Sequence, residues 1–211
     1  MNIIQVDLNK DLDPIINEAL SILKSGGTII YPTDTVYGLG CNALDEFAVR
    51  RIFDIKERSS KPLPILARNM VWVEELAYLN DQHRKMAEKF WPGKFTLVLP
   101  KKEIIPAITT TGLPSVGIRI ADHVFTDKLL ARFGYPLVTT SANISGAAPT
   151  GDINTIIREF SHHVPRPDLI IDAGVLPKSN TSVIIDCTTD KPKVLRIGPS
   201  KPEDLLKLLE V

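Results

Sequence analysis

The sequence predicts a single α/β domain over residues 1–211, with a twisted mixed β-sheet flanked by helices. Three observations carry that expectation. Segments with apolar residues at helical spacing alternate with short apolar runs bounded by glycine and proline. No Gly/Ser linker, internal repeat or low-complexity tract divides the chain. A chain of 211 residues can bury roughly 70% of its unfolded surface, so it needs no disulfide or metal staple.

The elements follow in order. Leu12, Ile15, Ile16, Ala19, Leu20 and Leu23 share one helical face. Asp13-Pro14 is a good start for that helix and Gly26-Gly27 a good stop. A strand over 28–31 ends at Pro32, and a helix over 46–55 draws its apolar face from Phe47, Val49, Ile52 and Phe53. Residues 63–66 read as a short buried strand. Helices are expected over 71–78 and 82–90, the second capped by Asp81. Strands at 95–99 and 116–120, a helix at 127–133 and a strand at 137–139 come next. The remainder reads as a helix at 153–160, strands at 169–171, 183–186 and 193–195, and a terminal helix begun by Pro202. The 16 prolines fall mostly between elements and preset many tight loops.

Composition excludes several function classes. Lys plus Arg and Asp plus Glu are both 25, so the formal charge is zero, which disfavours a protein whose main task is coating nucleic acid. A local basic cleft remains compatible. Cys41 and Cys187 are far apart and suit a reducing compartment. The start, MNIIQVDLNK, lacks a signal-peptide core, and no apolar run reaches the roughly 18 residues of a membrane span. A cytoplasmic protein is expected. The histidines show no zinc spacing, and His162-His163 reads as a surface pair. The G-x-x-x-x-G-K-[ST] phosphate loop and the G-x-S-x-G nucleophile elbow are both absent. Gly38, Gly40 and Ala43 mimic a dinucleotide fingerprint, but six residues separate the strand from Gly38, so the tight turn is missing.

Four segments carry chemistry. YPTDTVYGLG, residues 31–40, places Thr33, Asp34 and Thr35 at a strand end, where α/β ligand sites form; read alone, it is equally a capped loop. KERSSKPLP offers Lys56, Arg58 and Lys61 between hydroxyls and rigid prolines, a preset anion site or, read alone, a solvated basic turn. TTSANISG sets Ser141 and Asn143 two apart, so an extended backbone would point both to one face. Arg119 and Arg196 interrupt apolar runs at strand ends, so each needs an anionic ligand or a carboxylate partner.

Taken together and in order, YPTDTVYGLG, K-x-R, SVGIR, S-x-N with SG, SVIID and VLRIGP resemble the YrdC/Sua5/YciO family, from about residue 26 to 199. The resemblance implies the YrdC-like fold with a concave basic cleft. It implies a nucleotidyltransferase, the threonylcarbamoyl-AMP synthase that joins L-threonine, bicarbonate and ATP, with Mg²⁺, and releases pyrophosphate. It also implies that the product serves t6A modification of tRNA through transferase proteins acting downstream. By the same resemblance Lys56, Arg58, Ser141, Asn143 and Arg196 contact the nucleotide, with Lys61 and Ser115 nearby. Thr35, Arg119, Thr139 and Thr181 hold threonine, Arg119 pairing with its carboxylate. Lys56 and Arg58 would carry the catalytic charge. Leu66 stands where many synthases carry a histidine, and Thr181 where many carry serine. The chain is expected to be the single-domain form, without the C-terminal domain of longer Sua5 proteins. Two alternatives stay open: a binding protein for double-stranded RNA or tRNA on the same fold, and a YciO-like paralogue acting on a related carbamoyl-adenylate.

Overall fold

The computed structural model describes residues 1–58 and 61–198. The elements run β1 (Asn2–Gln5), α1 (Asp13–Lys24), β2 (Ile29–Tyr31), β3 (Gly38–Gly40), α2 (Glu46–Ile55), β4 (Ile65–Leu66), α3 (Met70–Leu76) and α4 (Asp81–Phe90). They continue with β5 (Phe95–Pro100), β6 (Ser115–Arg119), α5 (Val124–Phe133), β7 (Leu137–Val138), β8 (Thr140–Ser141), α6 (Ile153–Ser161), β9 (Leu169–Asp172), β10 (Val183–Asp186) and β11 (Lys193–Arg196). The mixed α/β class holds, but the strands divide into two mixed sheets rather than one. The first has order β1-β9-β2-β3-β8 and the second β11-β10-β5-β6-β4-β7. The helix foreseen at Pro202 lies outside the described residues.

Alternation along the strands explains the layering. Ile29 and Tyr31 of β2 join Leu169 and Ile171 of β9 under α1 and α5, in a core with Ile16 and Leu20 of α1 and Phe125 and Leu129 of α5. Ile30 and Ile170 point the other way, into a larger core with Ile65, Leu97, Ile118 and Val183 of the second sheet. Helices α2, α4 and α6 close that core with Val49, Ile52, Met86, Ile156 and Phe160. Each such side chain contributes roughly 1.5–3 kcal/mol by leaving water. Among the described residues, no helix is long and apolar enough to cross a membrane.

Local details correct the sequence reading. Helix α1 is preceded by Leu12 without a side-chain cap, and Asp13 is already helical. Asn80, not Asp81, caps α4, accepting from the His83 N–H. Phe47 does not belong to the buried face of α2 and is 84% exposed. At the helix start its place on the wheel faces solvent, while Ala48, Val49, Ile52 and Ile55 pack inward. Residues 38–40, read as part of a loop, form strand β3, antiparallel to both β2 and β8. Its glycines are sterically required: a Cβ on Gly40 would lie 2.2 Å from the Val138 carbonyl oxygen, and one on Gly38 would lie 2.9 Å from Cζ of Tyr31. Strands β7 and β8 belong to different sheets, and Thr139 alone connects them. Its N–H donates to the Pro64 carbonyl at 2.8 Å.

Candidate active site

The site lies where the two sheets meet. The chain leaves β2 into a turn held by its own hydroxyls: Thr33 Oγ1 donates to the Val36 carbonyl at 2.6 Å. That single proton being used, Thr35 Oγ1 donates to Thr33 Oγ1 across 3.0 Å. Thr35 in turn accepts from Nη1 of Arg119 at 3.2 Å. Arg119, at the end of β6, is 4% exposed. Its Nε–H donates to the Gly93 carbonyl at 2.9 Å and its Nη2 to Asp34 Oδ1 at 2.5 Å. Burial pulls the Arg119 pKa below its ordinary value, and the Asp34 charge opposes that. The internal ion pair considered for Arg119 is therefore present, with Asp34 as its carboxylate.

Arg119, Thr35, Thr139, Thr181, Ser141, Arg58 and Arg196 line one cavity of about 160 Å³, together with Thr33, Pro62, Pro64 and Ser182. Arg196 on β11 is fixed by Ser182, its Nε–H donating to the backbone carbonyl at 2.9 Å and its Nη2 to Oγ at 3.1 Å. Burial lowers the pKa of Arg196, and the charges of Arg119 and Arg58 lower it further. Three guanidiniums thus converge with Asp34 as the one carboxylate ion-paired to any of them among the described residues. Such a concentration of like charge is favourable only with an anion between them.

A second cavity of about 330 Å³ continues from the first through Arg58 and Ser141, and adds Lys56, Glu57, Lys61, Asn143, Ser145 and Gly146. Lys56 follows α2 and is 2% exposed. Its Nζ donates to the carbonyls of Ser141 at 2.7 Å and Asn143 at 2.6 Å, while the Ser145 N–H donates back to the Lys56 carbonyl at 3.0 Å. Burial, reinforced by the Arg58 charge, brings the Lys56 pKa down to about 7; Glu159 opposes the shift. Ser141 and Asn143 do share a cavity, but through a turn rather than an extended run, since the Asn143 N–H donates to the Ser141 carbonyl at 2.9 Å. The Asn143 amide donates to the carbonyls of Ile144 and Ala147 at 2.9 and 2.7 Å, which leaves Oδ1 as a free acceptor. Arg58 Nη2 donates to the Pro62 carbonyl at 2.9 Å.

Ten of the eleven anticipated site residues therefore line these two cavities. Ser115 lines neither: it shares the face of β6 that carries Arg119, four residues nearer the strand start. Leu66 pairs in register with Arg119 but is buried among Tyr31, Phe125 and Leu137. His163 is not a surface residue. Its Nε2 binds the Ile55 carbonyl at 2.8 Å, so that nitrogen carries the proton. Sequence reasoning gave no role to His123, whose buried Nδ1 lacks a partner and whose pKa is lowered by burial, with Asp34 opposing.

Among the described residues, the buried side-chain atoms left without partners are Asp34 Oδ2, Arg58 Nε, His123 Nδ1 and Asn143 Oδ1. Two belong to residues of the second cavity, and the other two surround Arg119. Unsatisfied buried groups are costly, so their concentration here marks a place built to receive a polar ligand. No group of three or more His, Cys, Asp or Glu side chains that could hold a metal occurs among the described residues. The donors at hand suit phosphate oxygens rather than a cation.

A family model described as "Telomere recombination", Sua5_yciO_yrdC, matches residues 21–198. The chain belongs to the Sua5/YciO/YrdC family. Within that family it is 37% identical over 193 residues to a threonylcarbamoyl-AMP synthase of Pyrococcus abyssi, covering 90% of this chain and 56% of the relative. It is 34% identical over 180 residues to the threonylcarbamoyl-AMP synthase of Cellvibrio japonicus, covering 84% of this chain and 94% of that one. A crystal structure of P. abyssi Sua5 complexed with L-threonine superposes with a TM-score of 0.91 at 35% identity, covering 100% of this chain and 61% of that chain. This Sua5/YciO/YrdC chain thus spans little more than half the length of its P. abyssi relatives and nearly the whole of the C. japonicus one.

Proposed function

We propose that this protein is a threonylcarbamoyl-AMP synthase, forming threonylcarbamoyl-AMP and pyrophosphate from L-threonine, bicarbonate and ATP. The observation that carries the reading is the two-lobed cavity, in which Arg58, Arg119 and Arg196 meet Lys56 and the Ser141/Asn143 turn. The names of the relatives and the threonine complex of the P. abyssi protein support it.

In this reading the first lobe takes the amino acid. Among the described residues, two of the five Arg119 N–H groups have no partner and would take its carboxylate, with the hydroxyls of Thr35, Thr139 and Thr181 around it. The threonine amine adds to carbon dioxide derived from bicarbonate and loses a proton, giving a carbamate. A carbamate oxygen then bonds to the α-phosphorus of ATP, the bond from that phosphorus to the bridging oxygen breaks, and pyrophosphate leaves. Both reactants are anions, so the protein's task is alignment and charge neutralisation rather than covalent attack. Arg58 lines both lobes and would bridge the reacting and leaving phosphates. Lys56 and Lys61 would hold the leaving phosphates, and the free Asn143 Oδ1 would accept from a ribose hydroxyl. Mg²⁺ would enter with ATP on its phosphate oxygens. We take residues 1–211 as one cytoplasmic domain whose product serves t6A formation on tRNA.

The test is pyrophosphate release from MgATP by purified protein. Release is expected only when L-threonine and bicarbonate are both present, and Arg58→Ala should reduce it at least 100-fold, or about 3 kcal/mol of transition-state stabilisation. Release without threonine, or full activity of Arg58→Ala, would overturn the assignment.

A further inference from the structure

Helix α6 supplies nothing to either cavity, yet its last turn and the residues just past its end touch both halves of the nucleotide lobe. Glu159 Oε1 accepts from the backbone N–H of Ile144 at 2.5 Å, immediately after Asn143. Four residues on, His163 holds the carbonyl of Ile55, the residue before Lys56, at 2.8 Å. Between these two anchors, the Lys56 side chain and backbone are tied to the Ser141–Ser145 turn by three hydrogen bonds. The helix itself cannot shift easily, because Ile153, Ile156 and Phe160 are fixed in the larger core. The Phe160 ring also meets the His163 ring edge-on, at 6.0 Å between centroids.

The choice of side chain at 159 is informative. A half-buried carboxylate next to a cavity lined by Lys56, Arg58 and Lys61 works against anion binding by its charge. Its benefit to such a site is therefore geometric: it anchors to α6 the Ile144 N–H of the turn carrying Asn143. Its charge also steadies the buried ammonium of Lys56.

We propose that Glu159 and His163 are positioning residues for nucleotide binding, clamping the Ser141–Ser145 turn and the Lys56–Arg58 segment to the core through α6 and the turn that follows it. This role rests on the synthase reading above, and neither residue touches the reactants. It is distinct from an electrostatic role, and two substitutions separate them. Glu159→Gln keeps an oxygen that accepts from Ile144 but drops the charge; Glu159→Ala drops both.

The experiment is calorimetric titration with ATP, inorganic tripolyphosphate and L-threonine separately, alongside thermal unfolding. Glu159→Gln should bind tripolyphosphate at least as tightly as the unsubstituted protein. Glu159→Ala should bind it about tenfold more weakly, with the affinity for L-threonine unchanged. His163→Ala should repeat the loss for tripolyphosphate, and His163→Gln, which keeps a donor, should recover most of it. If both Glu159 variants bind tripolyphosphate more tightly, the carboxylate acts by charge alone and the clamp is refuted. Equal losses for threonine and tripolyphosphate would mean general destabilisation and would refute it as well. An unsubstituted protein that binds neither ATP nor tripolyphosphate would overturn the synthase reading, and the clamp with it.

Discussion

Lys56 gives the sharpest prediction, because its protonation should change when the nucleotide arrives. Buried at 2% exposure and next to Arg58, it has a pKa brought down to about 7 from the ordinary 10.5. Polyphosphate oxygens in the same cavity favour the ammonium form and push the value back up. With the free form near 7, the fraction already protonated is about 0.5 at pH 7 and about 0.1 at pH 8. Binding should therefore take up about 0.5 proton at pH 7 and about 0.9 at pH 8. The sign follows from the linkage: the complex holds more protons than the free protein, so affinity falls as pH rises, by up to about tenfold per unit above pH 7. MgATP titrations at pH 8, where the ligand itself has no proton to lose, in two buffers of different ionisation enthalpy, measure the uptake directly. An uptake below about 0.2 proton would refute the argument, and so would an affinity flat between pH 7 and 9. The same depressed pKa means that the unfolded chain binds more protons than the folded one between pH 7 and 10.5, so this lysine makes stability rise with pH across that window.

Two further predictions concern the scaffold. Asp34→Ala leaves the buried Arg119 without its carboxylate, a loss of about 3–5 kcal/mol, which in a protein of this size lowers the melting temperature by about 6–20 °C; a circular-dichroism melt that moves less than about 3 °C would show the pair to be dispensable. Gly40→Ala forces a methyl group onto the Val138 carbonyl, at a cost of about 3 kcal/mol; urea unfolding should show a midpoint lower by about 1–2 M, and an unshifted midpoint would contradict the close approach of β3 and β7.

What the sequence disclosed depended on how local the signal was. Helix α2 is bounded as its periodicity indicates, because Asp45 accepts from the N–H groups of Phe47 and Ala48 and the apolar positions recur every three or four residues. Strand β3 escaped notice because Gly-Leu-Gly has poor strand propensity; its glycines answer to Tyr31 and Val138, contacts invisible in a linear reading. Strand β1 is short, mostly exposed and defined only by its parallel partner β9, 167 residues away at Asn2↔Leu169 by difference of residue numbers. In the site, clustered cations and hydroxyls announced Lys56, Arg58, Ser141 and Asn143. The partner of Arg119 did not announce itself, since Asp34 lies 85 residues away and either an ion pair or a ligand satisfies a buried guanidinium. Glu159 and His163 gave no sign because they act on backbone groups, and any acceptor or donor on a helix looks alike before the fold is known.

The passage of the chain from β7 to β8 through Thr139 alone has a consequence for which changes of length the protein can absorb. Strand side chains alternate faces, so one residue gained or lost there would turn Ser141 out of the cavity while leaving every amino-acid type in place. The Pro64 carbonyl would also lose the Thr139 N–H that keeps the crossing in register. Point substitutions at this spot are a matter of degree, whereas insertions and deletions are all or nothing. Residues 148–150, largely exposed and outside both cavities, are the nearby place where a change of length would leave the chemistry undisturbed.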